Sequence, residues 1–121
     1  MPTEFEVMKY SVFTLIFLIL IGCITQDSIS GDDYFEDEEY TKAVEAYTSY
    51  LETHPDHLKS LYNRGRSYEE LGRINEAIQD FELIIEIDPK NVNAHLSIAK
   101  IAYNNQQFNK VLVHTSAAIK T

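Results

Sequence analysis

Residues 58–91 read LKSLYNRGRSYEELGRINEAIQDFELIIEIDPKN, and two apolar faces of helical period run through them. Leu61, Arg64, Gly65, Tyr68 and Leu71 share one face, and Ile74, Ala77, Ile78, Phe81, Ile84 and Ile85 share the other. Gly72 stands between them as a helix terminator, and Pro89 follows the second run, where a residue without an amide hydrogen stops propagation. The stretch is one helix–turn–helix unit, and it is copied. Gly31, Tyr34, Ala43, Tyr47 and Pro55 lie 34 residues ahead of Gly65, Tyr68, Ala77, Phe81 and Pro89. Downstream, Ala99 and Val111 continue the series, and the places Tyr40, Ile74, Phe108 and Leu51, Ile85, Ile119 stay apolar throughout. A unit of this length cannot bury its apolar face alone and stacks on its neighbours. The expectation is an all-α solenoid with helices over 31–37, 40–53, 57–70, 74–87, 92–104 and 108–120.

The middle unit resembles a tetratricopeptide repeat (TPR), with Leu61, Gly65, Tyr68, Gly72, Ala77, Phe81 and Pro89 on the family's signature positions. The resemblance covers about four fifths of the chain. It defines a degenerate first unit over 24–57, the middle unit over 58–91, and an incomplete third over 92–121. The first carries Asp27 and Ser30 where the family places large apolar residues, and the third loses its aromatic to Thr115. Small residues at Ala43, Gly65 and Ala77 let helices approach to about 8–10 Å, with Tyr47, Tyr68 and Phe81 filling the space beside them.

Ahead of the repeats, residues 10–24 read YSVFTLIFLILIGCI, with one lysine before them and no charge inside. The apolar run falls short of the roughly 20 residues of a membrane-crossing helix and reads as an export signal. Leu20-Ile21-Gly22-Cys23 resembles a bacterial lipobox. The resemblance implies a signal peptide over 1–22, acylation of the Cys23 thiol, cleavage before Cys23, and a tether over 23–30 leading to the repeats. Several acyl chains at about 0.8 kcal/mol per buried methylene would anchor the protein to a membrane of the bacterial envelope. Cys23 is the only cysteine, so no disulfide competes for it. Met8-Lys9-Tyr10 is a more usual signal start than Met1 followed by Glu4 and Glu6. The alternative is an uncleaved signal anchor carrying a membrane scaffold.

The net charge of −9 is unevenly spread: residues 27–88 hold 17 acids and five bases, while 89–121 hold four lysines and no acid. That balance argues against a nucleic-acid partner. The run from Asp32 to Glu39 reads as a solvated helix face, or as an acid-rich surface-export tether of the kind found in Bacteroidetes-type lipoproteins. The final helix leaves Leu112 and Ile119 with nothing downstream to cover them. A partner or second copy, a fold-back, or membership of a longer array would each account for that, and a second copy would pair its acidic end with Lys90, Lys100, Lys110 and Lys120.

In the resembled family the first helix of each unit lines a concave groove. Here those places fall on Ser28, Asp32 and Phe35, on Lys59, Tyr62, Arg66 and Glu69, and on Asn93, Leu96, Lys100 and Tyr103. They suit a peptide segment carrying carboxylates, or simply a solvated polar face. The carboxylate clamp of chaperone-binding members is disfavoured, because Ser28, Asp32, Asn63, Asn93 and Ser97 stand at its places and only Asn63 agrees. The His54-Pro55-Asp56-His57 turn offers too few ligands for a metal centre, and His95 and His114 lie on separate helices. No nucleophile motif, phosphate loop or paired cysteine motif is present, so neither enzyme activity nor a cofactor is expected. The reading is a non-catalytic adaptor or assembly scaffold, with a truncated or self-associating array as the alternative.

Overall fold

A computed structural model describes residues 3–4, 6–8 and 31–120. The expected signal over 1–22, the tether, Cys23, Asp27, Ser28 and Ser30 fall wholly or mostly outside the described residues, and Cys23 itself does so entirely. Helical residues 31–36 precede α1 (Tyr40–Thr53), α2 (Leu58–Glu70), α3 (Ile74–Ile87), α4 (Val92–Asn104) and α5 (Phe108–Ile119). No strand occurs among the described residues. Consecutive helices pack on one another in order, which is the stacking of an all-α helical-hairpin solenoid.

The helix limits depart from expectation by one residue at three ends, and one departure has a clear cause. His57 does not begin α2 but caps it: the backbone is extended there, and Nδ1 accepts from the Ser60 amide at 3.3 Å. Asn91, 34 residues on, caps α4 in the same way, its Oδ1 accepting from the Ala94 amide at 3.1 Å. The second helices have no side-chain cap at Glu39, Arg73 or Gln107. They are instead entered from a left-handed residue, and that residue recurs at the same spacing: Glu38, Gly72 and Gln106 have φ of 60°, 72° and 58°.

The same two backbone bonds close each of these turns. Gly72 N donates to Glu69 O and Arg73 N to Tyr68 O at 2.9 and 2.8 Å. Glu38 and Glu39 donate likewise to Phe35 and Tyr34, and Gln106 and Gln107 to Tyr103 and Ala102. This is the Schellman closure, and it accounts for carbonyls a helix end would otherwise leave unpaired.

The glycines of the 34-residue series are fixed by close approach. A Cβ on Gly65 would stand 2.8 Å from the Phe81 ring, and one on Gly31 would stand 2.7 Å from the Tyr47 ring. Both aromatics are fully buried. In the third unit the corresponding pair is Ala99 and Thr115, so the small residue gains a methyl where its ring partner has shrunk. The central core joins Leu51, Leu61, Ala77, Phe81, Ile84, Ala94, Ile98 and Ile101, the work of α1 through α4. Arg64 of α2 forks onto Asp80 of α3, with Nε to Oδ2 at 2.8 Å and Nη2 to Oδ1 at 2.6 Å, and Nη1 reaches Thr48 Oγ1 at 3.2 Å.

Candidate peptide-binding face

The face built by the first helices is stitched by ion pairs that cross from one unit to the next. Asp32, in the helical stretch before α1, accepts from the Tyr47 hydroxyl at 2.6 Å, from Asn63 Nδ2 at 3.1 Å, and from the Lys59 ammonium. Partial burial pushes the Asp32 carboxyl up, but Lys59, Tyr47 and Asn63 together outweigh it and hold the group below the usual carboxylate range. Asn63 also donates to the Tyr47 hydroxyl at 3.2 Å, so its amide is spent inside the network. One unit further on, Lys100 of α4 meets Glu69 Oε1 of α2 at 3.2 Å.

Arg66 lies between these two bridges. Its Nε is 3.0 Å from Glu69 Oε2, and its Nη2 is 3.8 Å from Glu70 Oε1. The shorter contact lacks hydrogen-bond geometry, so the buried Arg66 Nε and Glu69 Oε2 are left without a hydrogen-bond partner. The Tyr62 hydroxyl and the two carboxylates stabilise the guanidinium charge. The sequence offers Lys59, Arg66 and Lys100 as cations for a ligand carboxylate. Lys59 and Lys100 face carboxylates of neighbouring helices, which the period within one helix does not reveal, whereas Arg66 meets Glu69 and Glu70 three and four residues along its own helix, a pairing the period allows.

Apolar side chains of the face stay open beside the lysines. On α4, Leu96 is 48% and Tyr103 63% exposed, one on each side of Lys100, and Asn93 is exposed at the start of the same row. The Tyr103 ring meets Phe108 edge-on, with centroids 6.3 Å apart. On α2, Tyr62 is only partly exposed, its ring tilted against Phe81 at 5.6 Å. Between the helices a recess of about 270 Å³ is lined by Glu69, Glu70, Ile74, Lys100, Ile101, Asn104 and Asn105.

The structure also brings together two residues treated separately in sequence. His95 Nδ1 and His114 Nδ1 lie 3.1 Å apart, and His95 Nε2 is 3.0 Å from the Pro89 carbonyl. The signal that could have found them is the register: His95 occupies the place of the core residue Leu61, and a polar group there requires a partner. His54 and His57 are taken up locally by Tyr50, which stacks on His54 at 4.3 Å and meets His57 edge-on at 5.1 Å. No group of three or more metal-ligating acids, histidines or cysteines occurs among the described residues.

A row of capped first helices, bridged across units and backed by second helices, defines a helical-repeat scaffold of the kind that presents an extended binding face. Residues 30–92 match the model of the tetratricopeptide repeat family, and the chain belongs to that family, whose repeats are generally non-catalytic interaction scaffolds. It is 35% identical over 82 residues to the tetratricopeptide repeat and J domain-containing co-chaperone DNJ1 of Cryptococcus neoformans, covering 68% of this chain and 16% of that protein. It is 26% identical over 82 residues to the Hsp70-Hsp90 organizing protein 3 of Arabidopsis thaliana, covering 68% of this chain and 15% of that one. The chain thus spans about a sixth of the length of either relative. The TPR2B domain of yeast Sti1, solved as a complex with pHsp70, superposes with a TM-score of 0.72 at 27% identity over 78% of this chain and 76% of that one. MamA shares the fold with a TM-score of 0.74 at 24% identity, over 80% of this chain and 56% of that chain.

Proposed function

We propose that the first-helix face holds a peptide segment of another protein, and that the chain acts as a non-catalytic adaptor or assembly factor tethered through lipid on Cys23 in a bacterial envelope. The observation that carries the binding reading is the exposed pair Leu96 and Tyr103 beside the Glu69–Lys100 bridge and the unsatisfied Arg66 and Glu69 atoms. Apolar anchors give a ligand its burial, and an ion pair with poor hydrogen-bond geometry gives a polar segment something to improve. The segment favoured has an apolar anchor and mixed polar groups. A bare terminal carboxylate is disfavoured, since Asp32 already takes the Asn63 amide and Lys59 that would receive it.

Panning a displayed random-peptide library against the full chain tests the binding face. Enriched peptides are expected to lose about tenfold in affinity, on the order of 1.4 kcal/mol, with Leu96→Ser, Tyr103→Ala or Arg66→Glu, at unchanged helicity. Enrichment that ignores all three substitutions contradicts it. The tether is read separately: expressed in a bacterium with a lipoprotein pathway, the chain should yield a mature peptide beginning at Cys23 with added acyl mass. An intact amino terminus would favour the signal-anchored alternative.

A second reading, self-association through α5, is favoured by register. Val44 and Leu51 of α1 are 8% and 7% exposed, and their counterparts on α5, Leu112 and Ile119, are 65% and 84% exposed. Lys110 and Lys120 flank that surface, and the first unit offers the opposite charge. Light scattering in low and high salt separates a monomer from a salt-sensitive head-to-tail assembly.

A further inference from the structure

We propose that His95 and His114 form an acid-released latch that holds α5 against α4. The proton inventory of the pair sets how it works. His95 Nε2–H donates to the Pro89 carbonyl at 3.0 Å, so His95 Nδ1 carries a lone pair. That lone pair accepts from His114 Nδ1–H across 3.1 Å, and the basic nitrogen left over is His114 Nε2. Only one hydrogen fits between the two Nδ1 atoms. A first added proton places a charge on His114, in a recess whose lining mixes apolar Ile98, Ile101 and Val113 with Glu82, Gln107 and Lys110. A second, on His95 Nδ1, sets one N–H against another at that distance, and the contact is lost.

The charged groups around the pair give the sign. Burial holds the His114 imidazole below its ordinary value of 6.5, and His95 and then Lys110 on α5 push the same way, while Glu82 on α3 opposes them. A histidine depressed on folding contributes its full stability above its unfolded value. That contribution is lost as the pH falls from about 6.5 toward the folded value. His95 is buried and ties the 89–91 turn, α4 and α5 together, so the loss is felt at α5 and opens the side of α4 carrying Ile98 and Ile101. The neighbouring unit supplies the control, since it has Leu61 at the place of His95 and Asp80, paired with Arg64, at the place of His114.

Hydrogen exchange of the full chain at pH 7.5 and 5.5, corrected for the intrinsic rate, reads the latch directly. Protection across α5 is expected to fall severalfold on acidification while α2 and α3 change less, and His95→Leu should remove the difference. His54 and His57 lie at the junction of α1 and α2, away from α5. Equal α5 protection at the two pH values, or a fall that survives His95→Leu, overturns the proposal. Should His95→Leu fail to fold, nuclear magnetic resonance titration of the unsubstituted chain decides: His114 must titrate below 6.5, and a value at or above it overturns the latch.

Discussion

The second and third units of this chain share one backbone plan and are packed differently. Both have a capped first helix, a left-handed residue and a Schellman closure at matching places. The second unit fills that frame with Gly65 against Phe81, a forked Arg64–Asp80 pair and Leu61. The third fills it with Ala99 and Thr115, an Ile98–His114 place and His95. Turn geometry and core packing are therefore separable in this fold. The turns specify where helices go, and the core decides how firmly each stays there.

Substitutions that strike the second unit should have the largest effects. Asp80→Ala leaves the mostly buried Arg64 without its forked partner and is expected to cost about 3–5 kcal/mol by urea unfolding, whereas His114→Ala at the matching place should cost about 1. Equal losses at the two sites would erase the distinction between the units. Gly65→Leu forces carbon into the Phe81 ring and should cost about 3 kcal/mol. Converting the pair to the third unit's solution is more informative. Gly65→Ala combined with Phe81→Thr should be about 1 kcal/mol more stable than the two single changes added together, and strict additivity would mean the ring and the glycine are not coupled.

Further substitutions sharpen the contrast along the solenoid. Leu51→Ala, buried by the following helix, should cost about 2–3 kcal/mol, and Ile119→Ala, its exposed counterpart, less than about 0.5 in the isolated chain. A large penalty at Ile119 would reveal a cover on α5. Gln106→Gly should stabilise by about 0.5–1 kcal/mol, because the left-handed residue would lose a strained Cβ, and Gly72→Ala should cost about 1 by the same reasoning in reverse. Thermal midpoints in a single buffer distinguish these signs.

The helices were legible because their determinants are local or strictly periodic: apolar spacing, Gly72, and prolines after Thr53 and Ile87. The left-handed turns at Glu38 and Gln106 were not, since neither residue advertises φ above zero as Gly72 does, and only the register exposes them. Along the candidate face the residues were placed by the family resemblance, but their charge partners were hidden. Asp32–Lys59 and Glu69–Lys100 join residues 27 and 31 apart, which no helical period predicts. His95 and His114 fall on separate helices, so no single helical period joins them, although the exchange of Leu61 for His95 marks a core place gone polar.

Native-state hydrogen exchange near neutral pH, resolved helix by helix over residues 31–120, tests most directly the claim that one backbone plan carries cores of unequal strength. The slowest amides should lie in α2 and α3, where the Gly65–Phe81 contact and the Arg64–Asp80 pair lie, and the fastest of the helical amides in α5. Uniform protection through all the helices, or α5 as the slowest, would contradict it.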